Sequence, residues 1–403
     1  MLKLDRRRFL KVAGAAPLGL SFKIGKPAAF ASPKLVRNYL DPWLEIDLNA
    51  ISWNLNQVRA CVQNRPVMAV IKAFAYGHGL VRIGKFLQKQ KIHSLAVGKV
   101  WEALKLREAG INVPILNFGP FSPAKAEELV HSDISQSVYT DAVDHLAKSA
   151  HKFGKKAKVH ILIDTGLGRV GVPFRQASSF IKKVANMPDI SLDGLFTAFT
   201  EDKEFDKVQL QRFLKICKAA KTQGIRIGLR HANSSAGILS FPQANLDMVR
   251  PGICIYGHYP STKEFQARHI DLKPALSLKT RVAYVKKLQP GDSVSYHRKF
   301  TAKKETLVAT LPIGYSDGYS PQVTDNGKAI IHGRRWPMVA PATANHIIVN
   351  ITGGENIKIG DEAVLIGSQG TSEINAEEVA EWAGTSVYKI LIALNPMLPK
   401  IYI

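Results

Sequence analysis

Val67-Met68-Ala69-Val70-Ile71-Lys72-Ala73-Phe74-Ala75-Tyr76-Gly77-His78-Gly79 is an apolar run closed by a lysine and then by a glycine-rich turn. Val67–Ile71 is short and β-branched, with no polar alternation, so it reads as a strand buried on both faces of a parallel sheet. A lysine at the carboxyl end of such a strand stands where barrel enzymes assemble their sites. Similar runs recur at Ser94–Val97, Pro114–Phe118, Ile134–Val138, Val159–Ile163, Leu192–Thr197, Ile225–Leu229 and Leu246–Tyr256. Amphipathic stretches of helical period separate them. The alternation predicts an α/β fold, a parallel (β/α)8 TIM barrel over residues 43–270, although periodicity alone also permits a doubly wound open sheet.

Outward from that core, Trp43–Leu48 alternates as a strand and leads into a helix with Ile51, Leu55 and Val58 on one face. Near residue 270 the pattern changes. Leu276–Lys286, Leu307–Leu311, Lys328–Ile331, Met338–Ala340, Ile347–Ile351 and Glu362–Ile366 are short β-type runs punctuated by Gly, Pro, Asn and Asp. They predict a mainly antiparallel β domain over 271–403, with a final helical segment at Asn375–Gly384 preceding Ser386–Leu394.

The first 31 residues read as an export signal rather than as part of the fold. Arg6-Arg7-Arg8-Phe9-Leu10-Lys11 matches the twin-arginine pattern, Val12–Phe22 is a short apolar region, and Ala29-Phe30-Ala31 offers a cleavage site. The expected partner is the twin-arginine translocation machinery and the expected location periplasmic, with no transmembrane segment in the mature chain. The formal charge is +23, and the leader carries seven Lys/Arg against one acid, so its removal leaves +17. Such a surface suits anionic envelope polymers. No nucleic-acid module accompanies it, so nucleic acid is not an expected partner. Cys61, Cys217 and Cys254 show neither a disulfide framework nor a metal-ligand spacing, and no metal is expected.

Lys72 in apolar surroundings would lose basicity and become available as a nucleophile and proton carrier. Taken alone, a strand-end lysine is more often a solubilising one. The whole segment 69–79, however, resembles the cofactor-lysine signature of the alanine racemase family. Asp164-Thr165-Gly166-Leu167-Gly168-Arg169-Val170-Gly171, His231-Ala232-Asn233-Ser234-Ser235 and Arg250-Pro251-Gly252-Ile253 are similar to three further segments of that family. The resemblance implies pyridoxal 5'-phosphate as cofactor, with Lys72 as its attachment point. It implies that Arg169 meets the cofactor's phenolic oxygen and the substrate carboxylate. Arg250 would face the ring nitrogen, and the phosphate would lie among Tyr76, Asn233, Ser234, Gly252, Ile253 and Tyr388. Val294-Ser295-Tyr296 resembles the segment of the opposing acid/base, so Lys72 and Tyr296 are the expected catalytic pair. In this family that tyrosine comes from the neighbouring subunit, which implies a homodimer. Tyr315, within Leu311–Tyr319, would line the substrate's approach from the partner.

Three positions depart from the family pattern. Leu162 stands where many members carry a lysine whose carbamate orients the arginine. Ala198 replaces the histidine of the Thr-His-Phe segment. Ala344-Asn345-His346 replaces Met-Asp-Gln near the substrate carboxylate, with Ala344 as the expected substrate-side residue. Arg169 must therefore find another anion or stay looser. The expected function is an L/D-alanine racemase working by two-base proton transfer on an amino-acid substrate. A broad-specificity periplasmic amino-acid racemase and a non-catalytic cofactor carrier are the alternatives, and the second domain with Tyr296 argues against the carrier.

Overall fold

The computed structural model of the chain describes residues 41–323 and 326–403. The twin-arginine segment at 1–31 lies outside the described residues. Among them no helix is long and apolar enough to cross a membrane.

The described chain opens with β1 (Trp43–Ile46) and a helix over Leu48–Cys61. Asp47 caps that helix, its carboxylate accepting the Asn49 and Ala50 N–H groups at 2.7 and 3.0 Å. A cap of this kind is worth about 1 kcal/mol. Ile51, Leu55 and Val58 are all buried, as their spacing predicts. Eight strands then form the barrel: β2 (Met68–Val70), β3 (Ser94–Val97), β4 (Ile115–Asn117), β5 (Ser135–Val138), β6 (Ala157–Asp164), β8 (Ile190–Phe196), β9 (Leu229–Ser234) and β10 (Met248–Arg250). The short β7 (Val172–Pro173) pairs off the side of β6. Every pairing in this sheet is parallel. Val67 bridges Val249, and the Val70 N–H donates to Pro251 O at 2.9 Å, closing β2 onto β10. The open-sheet alternative is thereby set aside.

One strand differs from its expected place. The apolar run Ile225–Leu229 is mostly loop, and the strand is the polar Leu229–Ser234. Gly228 takes a left-handed φ of 63°, and a Cβ there would lie 2.1 Å from Asp193 O, so the chain turns sharply before pairing begins. The polar side chains His231 and Asn233 are buried in β9 because partners await them inside the protein.

The C-terminal half begins with β11 (Leu276–Arg281), β12 (Tyr284–Leu288), β13 (Ser293–Val294), β14 (Phe300–Thr301) and β15 (Thr306–Leu311). After these come β16 (Lys328–Ile331), β17 (Arg334–Pro337), β18 (Ile347–Asn350), β19 (Glu362–Gln369), β20 (Ser372–Ile374) and β21 (Lys400–Tyr402). One sheet runs β17-β16-β19-β11-β1-β21 with β20 beside β19; a second runs β12-β15-β18; β13 and β14 form a separate ribbon. All pairings are antiparallel except β1 with β21. The run 276–286 breaks at Val282-Ala283 and sends its two halves to different sheets. Met338–Ala340 is no strand: Met338 makes one bridge to Val349, and the strand lies earlier, in β17. β1, next to the barrel in sequence, pairs with β11 and β21 and so belongs to the C-terminal sheet.

This crossing clamps the two halves together beside Lys72. Gly77 (φ 86°) and Gly79 (φ 100°) lie under the C-terminal segment: a Cβ at Gly77 would stand 2.5 Å from Leu391 O, and at Gly79 2.1 Å from the Tyr402 hydroxyl. Only glycine tolerates both the conformation and the approach. The helix Val387–Ala393, which carries Tyr388, is thus seated against the turn that carries Lys72.

Candidate active site

A cavity of about 360 Å³ opens at the carboxyl ends of the barrel strands. Its walls include Lys72 after β2, Arg169 after β6, Ser234 at the end of β9, Arg250 at the end of β10, and Gly252, Ile253, Tyr76 and Tyr388. Three cations face it, and among the described residues that line it there is no Asp or Glu. It is built for an anion.

Lys72 follows Ile71 and precedes four consecutive residues in the left-handed region, Ala73 to Tyr76, with φ between 52° and 56°. L-residues avoid this region at roughly 1–2 kcal/mol each. The Ala75 N–H to Ile71 O and Gly79 N–H to Phe74 O hydrogen bonds, 2.9 and 2.8 Å, hold the turn. Burial, then the nearby Arg169 charge, pushes the Lys72 amine below the ordinary lysine range, while Glu102 opposes the shift.

Arg250 is buried and held by three hydrogen bonds. It donates to His231 Nδ1 at 2.9 Å, Thr197 O at 2.8 Å and Ala232 O at 2.7 Å, and lies 5.3 Å over the Phe196 ring. Burial lowers its pKa to about 9. Arg169 is exposed and has no hydrogen bond or ion pair to any described residue; Leu162, buried in the same wall, offers it none.

At the other end the Gly252 N–H donates to Ser235 Oγ at 2.9 Å. A Cβ on Gly252 would lie 2.6 Å from the Tyr76 hydroxyl, so the glycine makes room for it. The Tyr76 and Tyr388 rings are 6.1 Å apart. Burial pushes both phenols well above the usual tyrosine range, which keeps them protonated as donors.

Not every expected residue reaches this cavity. Asn233 is buried behind it, its amide donating to Gly237 O, Phe241 O and Asn245 Oδ1, so its side chain anchors the loop. Tyr296 (77% exposed) and Tyr315 (55% exposed) lie on the C-terminal domain outside its walls. Ala344 sits beside Tyr315: Thr343 O accepts the Tyr315 N–H at 3.1 Å and Ala344 O accepts the Ser316 N–H at 3.0 Å. The structure therefore gathers a cofactor-type cavity and, outside its walls, a Tyr315–Ala344 neighbourhood, with Tyr296 exposed elsewhere on the C-terminal domain between β13 and β14. Gly98, Phe118 and Tyr139 also line the cavity and were not expected. Each directly follows a barrel strand, β3, β4 and β5, and that position is the signal that would have found them.

Fold and cavity define a barrel enzyme with one lysine amine and two arginines lining a single cavity at the carboxyl ends of its strands. The chain belongs to the alanine racemase family: the family's N-terminal domain matches residues 46–260 and its C-terminal domain residues 275–402. Alanine racemase of Clostridium perfringens (strain SM101 / Type A) is 40% identical over 367 residues, covering 89% of this chain and 95% of its own. That of Methanococcus maripaludis is 38% identical, with 90% and 98% covered. Among solved structures, alanine racemase from Clostridium difficile 630 superposes with a TM-score of 0.85 at 33% identity, covering 91% and 96%. The Bacillus anthracis enzyme with bound L-Ala-P gives 0.84 at 33%, covering 91% and 95%. The chain is an isomerase of this family.

Proposed function

We propose that the chain interconverts L- and D-alanine using pyridoxal 5'-phosphate, as a homodimer exported through the twin-arginine route to the periplasm. The observation that carries the reading is the cavity itself: one amine lowered by burial, two arginines, no acid, and protonated hydroxyls at one end.

The residues present fit that cofactor. Tyr76, Tyr388, Ser234, Gly252 and Ile253 would hold its phosphate, Arg250 its ring nitrogen and Lys72 its aldehyde carbon. When bound, the cofactor supplies an electron sink that acidifies the substrate's α-proton. The chain does the rest. Lys72 Nζ takes or returns the proton on one face, and Tyr296 Oη on the other, because inversion at a planar carbon needs a donor on each side. Arg169 orients the carboxylate with its planar fork. Tyr296 and Tyr315 lie outside the cavity of their own chain, which supports a second subunit completing the site.

A second reading, a racemase of broader specificity, is favoured by Leu162 and Ala198 in the cavity wall, where no bulky polar group restricts the substrate. Purified protein incubated with a panel of L-amino acids and analysed on a chiral column tests both. Alanine turning over far faster than the rest supports the first; basic or polar amino acids inverting faster supports the second. No inversion of any member, with cofactor bound, overturns both.

A further inference from the structure

Glu102 lies in the first turn of the helix Val100–Glu108, is 1% exposed, and belongs to no wall of the cavity. Its Oε2 accepts the Gly98 and Lys99 N–H groups at 3.0 and 3.2 Å, the ordinary duty of a glutamate closing the start of a helix. Its Oε1 does something a cap does not require. It accepts the Phe74 N–H at 3.4 Å, in the middle of the left-handed turn that follows Lys72. Gly98 stands between the acid and the stem of the Lys72 side chain. The point where its Cβ would sit is 3.5 Å from Lys72 Cβ and 3.8 Å from Glu102 Oε2.

We propose that Glu102 is a positioning residue for Lys72: its buried carboxylate tethers the strained turn to the loop after β3 and keeps a negative charge behind the amine. The tether supplies an acceptor from outside the turn to one of its four left-handed residues. The charge matters because the other charged groups lining the cavity with Lys72 are Arg169 and Arg250, both cationic, alongside the phenols of Tyr76, Tyr139 and Tyr388. Burial and Arg169 lower the basicity of the amine, and Glu102 counteracts them. The same charge discourages ionisation of Tyr256, which packs 5.0 Å from Tyr76. The balance sets the pH at which Lys72 exchanges between proton carrier and free amine. It rests on Lys72 as the reactive amine of the proposed racemase, but its test needs no turnover.

The full chain, before any pyridoxal phosphate is added, is acylated with a small anhydride across a pH series, and modification of Lys72 is read by peptide mass spectrometry. Glu102→Gln retains an acceptor for the helix cap but removes the charge and the second oxygen. Its labelling midpoint should move to lower pH, giving several-fold faster labelling at a fixed pH below the wild-type midpoint. Glu102→Asp keeps the charge and should stay near the wild-type midpoint. A Gln variant that melts like wild type and labels with an unchanged pH profile reduces Glu102 to a cap and overturns the proposal. So does an Asp variant that shifts as far as Gln, since charge would then not be the cause. Failure of racemisation with the shift intact would sink the functional reading alone.

Discussion

His231 Nε2 lies 2.8 Å from His160 Nδ1, deep in the barrel, while the other ring nitrogen of His231 faces the Arg250 guanidinium. A guanidinium has only donors, so His231 Nδ1 accepts and its Nε2 carries the proton that His160 accepts. Both imidazoles are neutral. Burial, and then Arg250, pushes His160 down to about 3 and His231 far below its usual value. Neutral rings are what Arg250 needs as neighbours, because a second buried cation would have no compensation.

These depressed values fix the sign of a pH dependence. Below about pH 6.5 the unfolded chain protonates His160 and His231 while the folded protein keeps both neutral, so their contribution to stability falls as pH falls toward 3. Replacing His160 with Gln removes one such proton. The variant's unfolding free energy should decline less steeply between pH 5.5 and 4, by about 1.4 kcal/mol per pH unit. Urea unfolding at a series of pH values measures this, and parallel wild-type and variant slopes would contradict the assignment.

Gly79→Ala places a methyl group against the Tyr402 hydroxyl in a left-handed conformation. Strain of this kind costs about 1–3 kcal/mol, beyond which the collision adds its own cost. Tyr402→Ala should recover the steric part but not the conformational part, so a double-mutant cycle should show a coupling of about 1 kcal/mol or more. Additive losses would mean that the turn and β21 are not in contact in solution.

The history of this site in the sequence is uneven for physical reasons. β2 and Lys72 were legible because a buried parallel strand is continuously apolar and the lysine ends it abruptly. β3 and β16 lie where Ser94–Val97 and Lys328–Ile331 predict them. β9 lies after its predicted run because its interior side chains are polar and satisfied by Arg250, His160 and Asn245, and periodicity does not register partners supplied by distant parts of the chain. Glu102 carries no signal in the sequence because a glutamate in a helix's first turn is commonplace; only the fold brings Phe74 to it. Tyr296 is singled out by resemblance alone, since among the described residues it is 77% exposed and lies outside the cavity.

That isolation makes Tyr296 a clean target. Its side chain is mostly exposed and packs on no described core cluster, so Tyr296→Phe should change stability by no more than about 0.5 kcal/mol. Exchange of the α-hydrogen in deuterium oxide should slow strongly from one alanine enantiomer and much less from the other. Equal, wild-type rates from both would remove Tyr296 from the proton transfers.

Ala198 presents only a methyl group to the cavity, the space that the reading of broader specificity assigns to the substrate. Its carbonyl is pinned by Gln209 Nε2 at 3.1 Å, and Gln209 also bonds Thr165 Oγ1, which pairs with Thr197 Oγ1 at 2.7 Å. The backbone here cannot easily retreat, so a larger side chain must enter the cavity that Ala198 lines. Ala198→His adds an imidazole where the wall is a methyl group. Alanine, with the smallest side chain of any chiral substrate, should lose least. For bulky substrates the lost space corresponds to about 1–3 kcal/mol, a drop in kcat/KM of roughly tenfold or more relative to alanine. The measurement is kcat/KM for alanine and for one long-chain amino acid in both proteins. A ratio left unchanged by the imidazole would show that substrate side chains lie elsewhere, and that Ala198 has no part in selecting them.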